Sequence, residues 1–152
     1  MPGACPVPGM KTCVAHRLKN DLGETARLGP WVESFAQSAG LSSSVQNAVD
    51  LSLVEWVTNI ISYGYEDRGE HWIAVRLEAG DGQVRLEVED DGREFNPLQH
   101  PPVDTTAPLE SRPVGGLGIH MIRQLMDTVE YQRRSGRNLL VLTKRIKADE
   151  VP

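Results

Sequence analysis

Three short clusters in this 152-residue chain combine residue types and spacings that could do chemistry. The first lies in Leu53-Val54-Glu55-Trp56-Val57-Thr58-Asn59-Ile60-Ile61, where Glu55 and Asn59 stand one helical turn apart and share a face. A carboxylate beside an amide oxygen suits general-base work next to a hard cation, which takes oxygen ligands. The apolar residues around the pair imply a largely buried helix, with Ser52 and Ser62 extending the polar stripe, and a buried carboxylate is costly unless something satisfies it. An ordinary capping or partner-facing stripe would look the same. The second cluster is Val88-Glu89-Asp90-Asp91-Gly92-Arg93-Glu94-Phe95-Asn96-Pro97. Strand alternation turns Val84, Leu86 and Val88 inward, so Asp90 points inward too and needs a donor; the Asp-Gly pair also suits a plain turn. The third is Gly115-Gly116-Leu117-Gly118 ahead of a helix. Glycines there allow close backbone approach, and a helix N-terminus offers unpaired N–H groups to a phosphate, although a lid hinge has the same composition.

The elements that must position these clusters follow from apolar periodicity. Val14, His16 and Leu18 alternate as a short first strand from Thr12 to Leu18. Leu28, Trp31, Val32 and Phe35 recur at helical spacing, with Gly40 as a stop. Ser42-Ser43-Ser44 supplies N-caps for a helix over about residues 44–64, carrying Val45, Val49, Leu53, Trp56 and Ile60 on one face. Trp72, Ala74, Val75 and Leu77 suggest a strand and Asp81-Gly82 a hairpin turn. Val84, Leu86 and Val88 alternate with Arg85, Glu87 and Glu89 as a strand buried on one face. From Asp91 to Pro113 periodicity is lost, and the stretch holds Pro97, Pro101, Pro102, Pro108 and Pro113 of the ten prolines, as a functional lid or a disordered insert would. A helix through Ile119, Ile122, Leu125 and Met126 follows, then strands at about 128–134 and 138–146 turning through Ser135-Gly136. This order predicts an α+β fold: a two-layer sandwich of a mainly antiparallel mixed sheet with helices on one face. Residues 1–10 read as a flexible leader, residues 11–148 as one domain, and residues 91–117 as a lid.

Composition excludes several classes. Sixteen Lys+Arg against 21 Asp+Glu give a net charge of −5, which argues against binding a nucleic-acid backbone. Arg133-Arg134-Ser135-Gly136-Arg137 reads as a charged hairpin. No apolar run approaches the roughly 20 residues a membrane helix requires, and the N-terminus lacks a secretory pattern. Cys5 and Cys13 give neither a zinc spacing nor a disulfide framework, so the cytoplasm, with reduced thiols, is the simplest compartment.

Together the clusters are the parts of one nucleotide site: a Glu to poise a nucleophile, an Asn to hold magnesium, an Asp to read a base, and a glycine turn to cradle phosphates. The three motifs, in this order, resemble those of the Bergerat-fold ATPases, the superfamily of gyrase, the heat-shock chaperone and histidine kinases. Within it the chain looks most like the single-domain bacterial anti-sigma-factor serine kinases of partner-switching systems. The resemblance covers roughly residues 12–146. It rests on Glu55 to Tyr65 as the N-box helix, Asp90 to Pro97 as the adenine-binding strand end, and Gly115 to Ile122 with Leu125-Met126-Asp127 as the lid end and third helix.

The resemblance implies binding of Mg-ATP (ATP with Mg2+) and phosphorylation of a STAS-domain anti-anti-sigma protein on Ser or Thr, in a homodimer that also sequesters a sigma factor or another target. Glu55 would be the general base, Asn59 the Mg2+ ligand, and Asp90 the acceptor for the adenine amino group, with Gly92 allowing close approach to the ring. Gly115, Gly116, Leu117 and Gly118 would form the phosphate turn, and Thr143 on the last strand is a further candidate for holding the base. The chain departs from the family pattern at Glu94, where a second motif glycine is usual, and at Tyr63, where many relatives carry His. Glu94 favours an alternative, a nucleotide-binding module that sequesters its partner without kinase activity.

Overall fold

A computed structural model of the chain describes residues 12–99 and 116–146. The expected leader, most of the expected lid, and Gly115 lie outside the described residues. The elements are β1 (Thr12–Lys19), α1 (Leu28–Ala39), α2 (Ser43–Tyr63), β2 (Trp72–Gly80), β3 (Gln83–Asp90), α3 (Gly116–Leu125), β4 (Thr128–Arg134) and β5 (Arg137–Arg145), with a 3-10 helix at Leu22–Arg27 leading into α1.

Local chemistry explains the boundaries. Gly40 ends α1 in the left-handed region (φ 67°), and Leu41 N–H reaches back to the Ala36 carbonyl at 2.9 Å. Ser42 caps α2 by accepting from Val45 N–H at 3.2 Å. Both hairpins turn through paired positive φ, at Asp81-Gly82 and Ser135-Gly136, as tight turns that match strand twist require.

The strands order as β1-β2-β3-β5-β4, and every described pair is antiparallel. The expected mixed sheet is therefore corrected. The crossover through α3 makes β3 and β4 run the same way, but β5 lies between them, so no parallel ladder forms among the described residues. One sheet face packs Ile73, Val75, Leu77, Val84, Leu86, Val88, Leu140 and Leu142 against Val32 and Phe35 of α1 and Val45, Val49, Leu53, Trp56 and Ile60 of α2. Each such side chain, fully buried, contributes about 1.5–3 kcal/mol, so this layer dominates stability. The opposite face carries ion pairs instead: Arg76–Glu78 at 2.7 Å, Arg85–Glu87 at 3.2 Å and Arg137–Glu89 at 2.6 Å. Cys13, on β1, is disulfide-bonded, contrary to the expectation of reduced thiols, and the sequence's other cysteine, Cys5, is outside the described residues.

Candidate functional site

A cavity of about 510 Å³ opens between the C-terminal half of α2 and the end of β3, lined by Trp56, Asn59, Ile60, Tyr63, Asp90, Arg93, Glu94, Phe95 and Asn138 among others. Trp56 and Phe95 form an aromatic wall, their ring centres 5.9 Å apart. The loop after β3 is stitched to the end of α2: Arg93 N–H donates to the Gly64 carbonyl at 2.8 Å and Arg93 Nε to the Tyr63 carbonyl at 2.7 Å. From the other side, Arg123 of α3 donates to the Pro97 carbonyl at 2.9 Å.

At one end of the cavity Asp90 is 2% exposed, pointing inward as the alternation of β3 requires. Its Oδ1 accepts from Gly92 N–H at 2.8 Å and from Asn138 Nδ2 at 3.0 Å. Burial pushes the carboxyl pKa above its ordinary value, and these two donors pull it partly back. Gly92 is required sterically: a Cβ there would lie 2.6 Å from the Gly64 carbonyl oxygen. That backbone cannot yield without undoing the stitch to α2.

Glu55 and Asn59 meet α3 on the adjoining part of α2. A Cβ on Gly118 would lie 3.0 Å from Glu55 Oε2 and 3.1 Å from Asn59 Nδ2, so this glycine lets α3 close directly onto both functional groups. The first and third clusters are thus brought together. Gly116 opens α3 and Leu117 and Gly118 follow in its first turn, where backbone N–H groups have no intrahelical acceptor. Glu55 and Asn59 are half-buried rather than engulfed, because the core face of α2 runs through Ser52, Leu53, Trp56, Val57 and Ile60 beside them. Ser52 is fully buried and Ser62 exposed, so the expected polar stripe is not continuous.

Asn59 Nδ2 is buried with no hydrogen-bond partner. The unmet atom is a donor, which suits an acceptor such as a phosphate oxygen, and the other atom of the amide, Oδ1, is the one that could ligate Mg2+. Mg2+ commonly takes one or two protein oxygens and completes its shell with phosphate and water. No cluster of three or more His, Cys, Asp or Glu side chains suitable for an all-protein metal cage occurs among the described residues.

Two readings of the sequence change here. Thr143 pairs with Arg85 and Thr128, five residues along β5 from Asn138, and so stands about 17 Å from the Asp90 end of the cavity. The β5 residue that does meet Asp90 is Asn138, which the sequence reading missed. Its only signal was a polar residue heading an otherwise apolar strand, Asn138-Leu139-Leu140-Val141-Leu142. Arg133 is an exposed hairpin charge as expected, but it also reaches the site: its Nη1 donates to the Gly92 carbonyl at 2.7 Å and to Asn138 Oδ1 at 3.1 Å.

Comparison with known proteins agrees with this geometry. Residues 18–144 match the histidine kinase-like ATPase domain. The chain is 27% identical over 124 residues to the serine-protein kinase RsbW of Halalkalibacterium halodurans, covering 79% of this chain and 75% of the relative. It is 28% identical over 113 residues to the serine/threonine-protein kinase BtrW of Bordetella bronchiseptica, covering 74% and 80%. RsbW of Bacillus thuringiensis is 33% identical over 106 residues, covering 66% and 64%. The fold is shared with a crystal structure of the RsbU and RsbW domains of a Mycobacterium tuberculosis protein, at a TM-score of 0.61 and 20% identity over 89% of this chain and 32% of that one. The chain belongs to the histidine kinase-like ATPase domain family.

Proposed function

We propose that this protein is an ATP-dependent serine/threonine protein kinase and anti-sigma-type regulator. It phosphorylates a STAS-type anti-anti-sigma antagonist and sequesters a sigma factor or another target in a partner switch. The observation that carries the reading is the convergence of Glu55 and Asn59 on Gly118, beside a cavity whose other end is the buried Asp90. Asp90 accepts from the amino group of the base, with the aromatic wall of Trp56 and Phe95 beside the ring. The first turn of α3 offers N–H groups to the phosphates, and Asn59 supplies an oxygen to Mg2+. Bound Mg2+ neutralises phosphate charge. Glu55 takes the proton of the attacking hydroxyl. A homodimer in the bacterial cytoplasm is the setting we propose.

Phosphotransfer from labelled Mg-ATP to STAS-domain proteins tests this directly. Label should reach a serine or threonine of the acceptor with the wild type and not with Glu55→Gln. Absence of transfer by a folded protein that binds ATP overturns the kinase reading. It would leave the second one, a nucleotide-binding module, which the exposed Glu94 carboxylate on the cavity wall favours by repelling an anionic ligand.

A further inference from the structure

Asn138 is 5% exposed, and its side-chain amide is fully occupied by the protein. Nδ2 donates to Asp90 Oδ1 at 3.0 Å and to the Arg93 carbonyl at 2.9 Å. Oδ1 accepts from the Tyr131 hydroxyl and from Arg133 Nη1 at 3.1 Å. An amide has two N–H groups and two lone pairs, so all four places are filled and none is left for a ligand. The surrounding donors and acceptors also fix which way the amide faces. On Asp90, both protein donors, Gly92 N–H and Asn138 Nδ2, land on Oδ1. Oδ2 has no protein donor among the described residues.

We propose that Asn138, locked by Tyr131 and Arg133 of β4, is a positioning residue that aims Asp90 Oδ2 at an exocyclic amino group, and so sets the preference for a 6-amino purine over a 6-oxo purine. The inference rests on the nucleotide-binding reading above. Its physical basis is rotational: a carboxylate with both donors on one oxygen cannot turn without breaking both bonds. Without the Asn138 amide, Gly92 N–H alone holds it. Asp90 then also loses a donor that stabilises its charged form, and a protonated carboxyl is a poor acceptor.

The experiment is calorimetric titration of the full chain with Mg-ATP and with Mg-inosine triphosphate, which carries a 6-oxo group. Wild type should prefer ATP. Asn138→Ala should weaken ATP binding by about tenfold and inosine triphosphate binding by less than about twofold, collapsing the ratio. Tyr131→Phe, which removes one restraint on Asn138, should lower the ratio in the same direction by less. A ratio unchanged in Asn138→Ala, or equal losses for both nucleotides, overturns the positioning role. Should Asn138→Ala fail to fold, an unchanged ratio in Tyr131→Phe does so. A wild type that binds neither nucleotide, or shows no preference, instead overturns the nucleotide reading on which the inference rests.

Discussion

The two ends of the cavity are built on opposite principles. Around Asp90 the hydrogen bonds of Asp90 Oδ1 and Asn138 are made within the protein, and these two side chains are only 2% and 5% exposed. Around Glu55 and Asn59 the groups are half-buried, an amide nitrogen is left unpaired, and a glycine takes the place of a side chain. A satisfied polar network is rigid and specifies one geometry, whereas an unmet buried group favours whatever completes it. The Asp90 end is therefore preorganised, as the proposed recognition of a base requires, and the α2–α3 end is left incomplete, as the proposed phosphotransfer requires.

Substitutions can break this comparison at either end. The largest effect is expected for Glu55→Gln: phosphotransfer should fall about 10²–10⁴-fold, the usual worth of a general base, with ATP affinity nearly unchanged in titration. Asp90→Asn should cost roughly tenfold or more in ATP affinity, because the amide's single oxygen is taken by the Gly92 and Asn138 donors and an NH2 replaces the Oδ2 acceptor that would face the base. The two glycines separate the ends more finely. Gly92→Ala drives a Cβ into backbone and should destabilise the fold by about 1–3 kcal/mol, read as a lower urea midpoint. Gly118→Ala meets only side-chain ends, and alanine gains about 1 kcal/mol of helix propensity. Stability should hold while phosphotransfer drops. Equal effects of the two substitutions on stability would erase the distinction.

The smallest effect concerns a surface brace that ties the stretch after α2 to the end of β3. His71 stacks on Tyr65 with ring centres 4.2 Å apart, and its Nε2 meets Asp67 at 2.8 Å and its Nδ1 Asp91 at 3.1 Å. The Asp67 hydrogen bond, followed in the same direction by Asp91, raises the His71 pKa above 6.5, and the His71 hydrogen bond lowers the Asp67 pKa below 3.8. The histidine contribution to stability is fully present below its unfolded value of 6.5 and is lost as pH rises through the raised folded value. The Asp67 contribution is present above 3.8 and lost as pH falls through the lowered one. The urea midpoint should thus decline slightly from about pH 6 to about pH 8, and His71→Gln should flatten that slope.

Much of the fold was legible because each element satisfies a local rule. Alternation gave β3, helical spacing gave α2, and Asp81-Gly82 and Ser135-Gly136 could only be tight turns. The same alternation turned Asp90 inward before any contact was known. Glu55 and Asn59 followed from a period too: four residues on a helix is one turn, wherever that helix packs.

Other features depend on contacts between residues far apart in the chain, and no local pattern carries them. Asn138 meets Asp90 because β5, and not β4, is the neighbour of β3. Thr143 is as plausible in sequence, but strand register places it at the wrong end. Arg133 belongs to the site because the β4–β5 hairpin brings it beneath the Gly92 carbonyl. Gly118 looked like a phosphate turn, and only the packing of α3 on α2 revealed that it also makes room for Glu55 and Asn59. The sequence by itself determined which residues share a strand or helix face, since backbone periodicity is local. Tertiary structure decided which faces meet, because register and helix packing are set by the whole core at once.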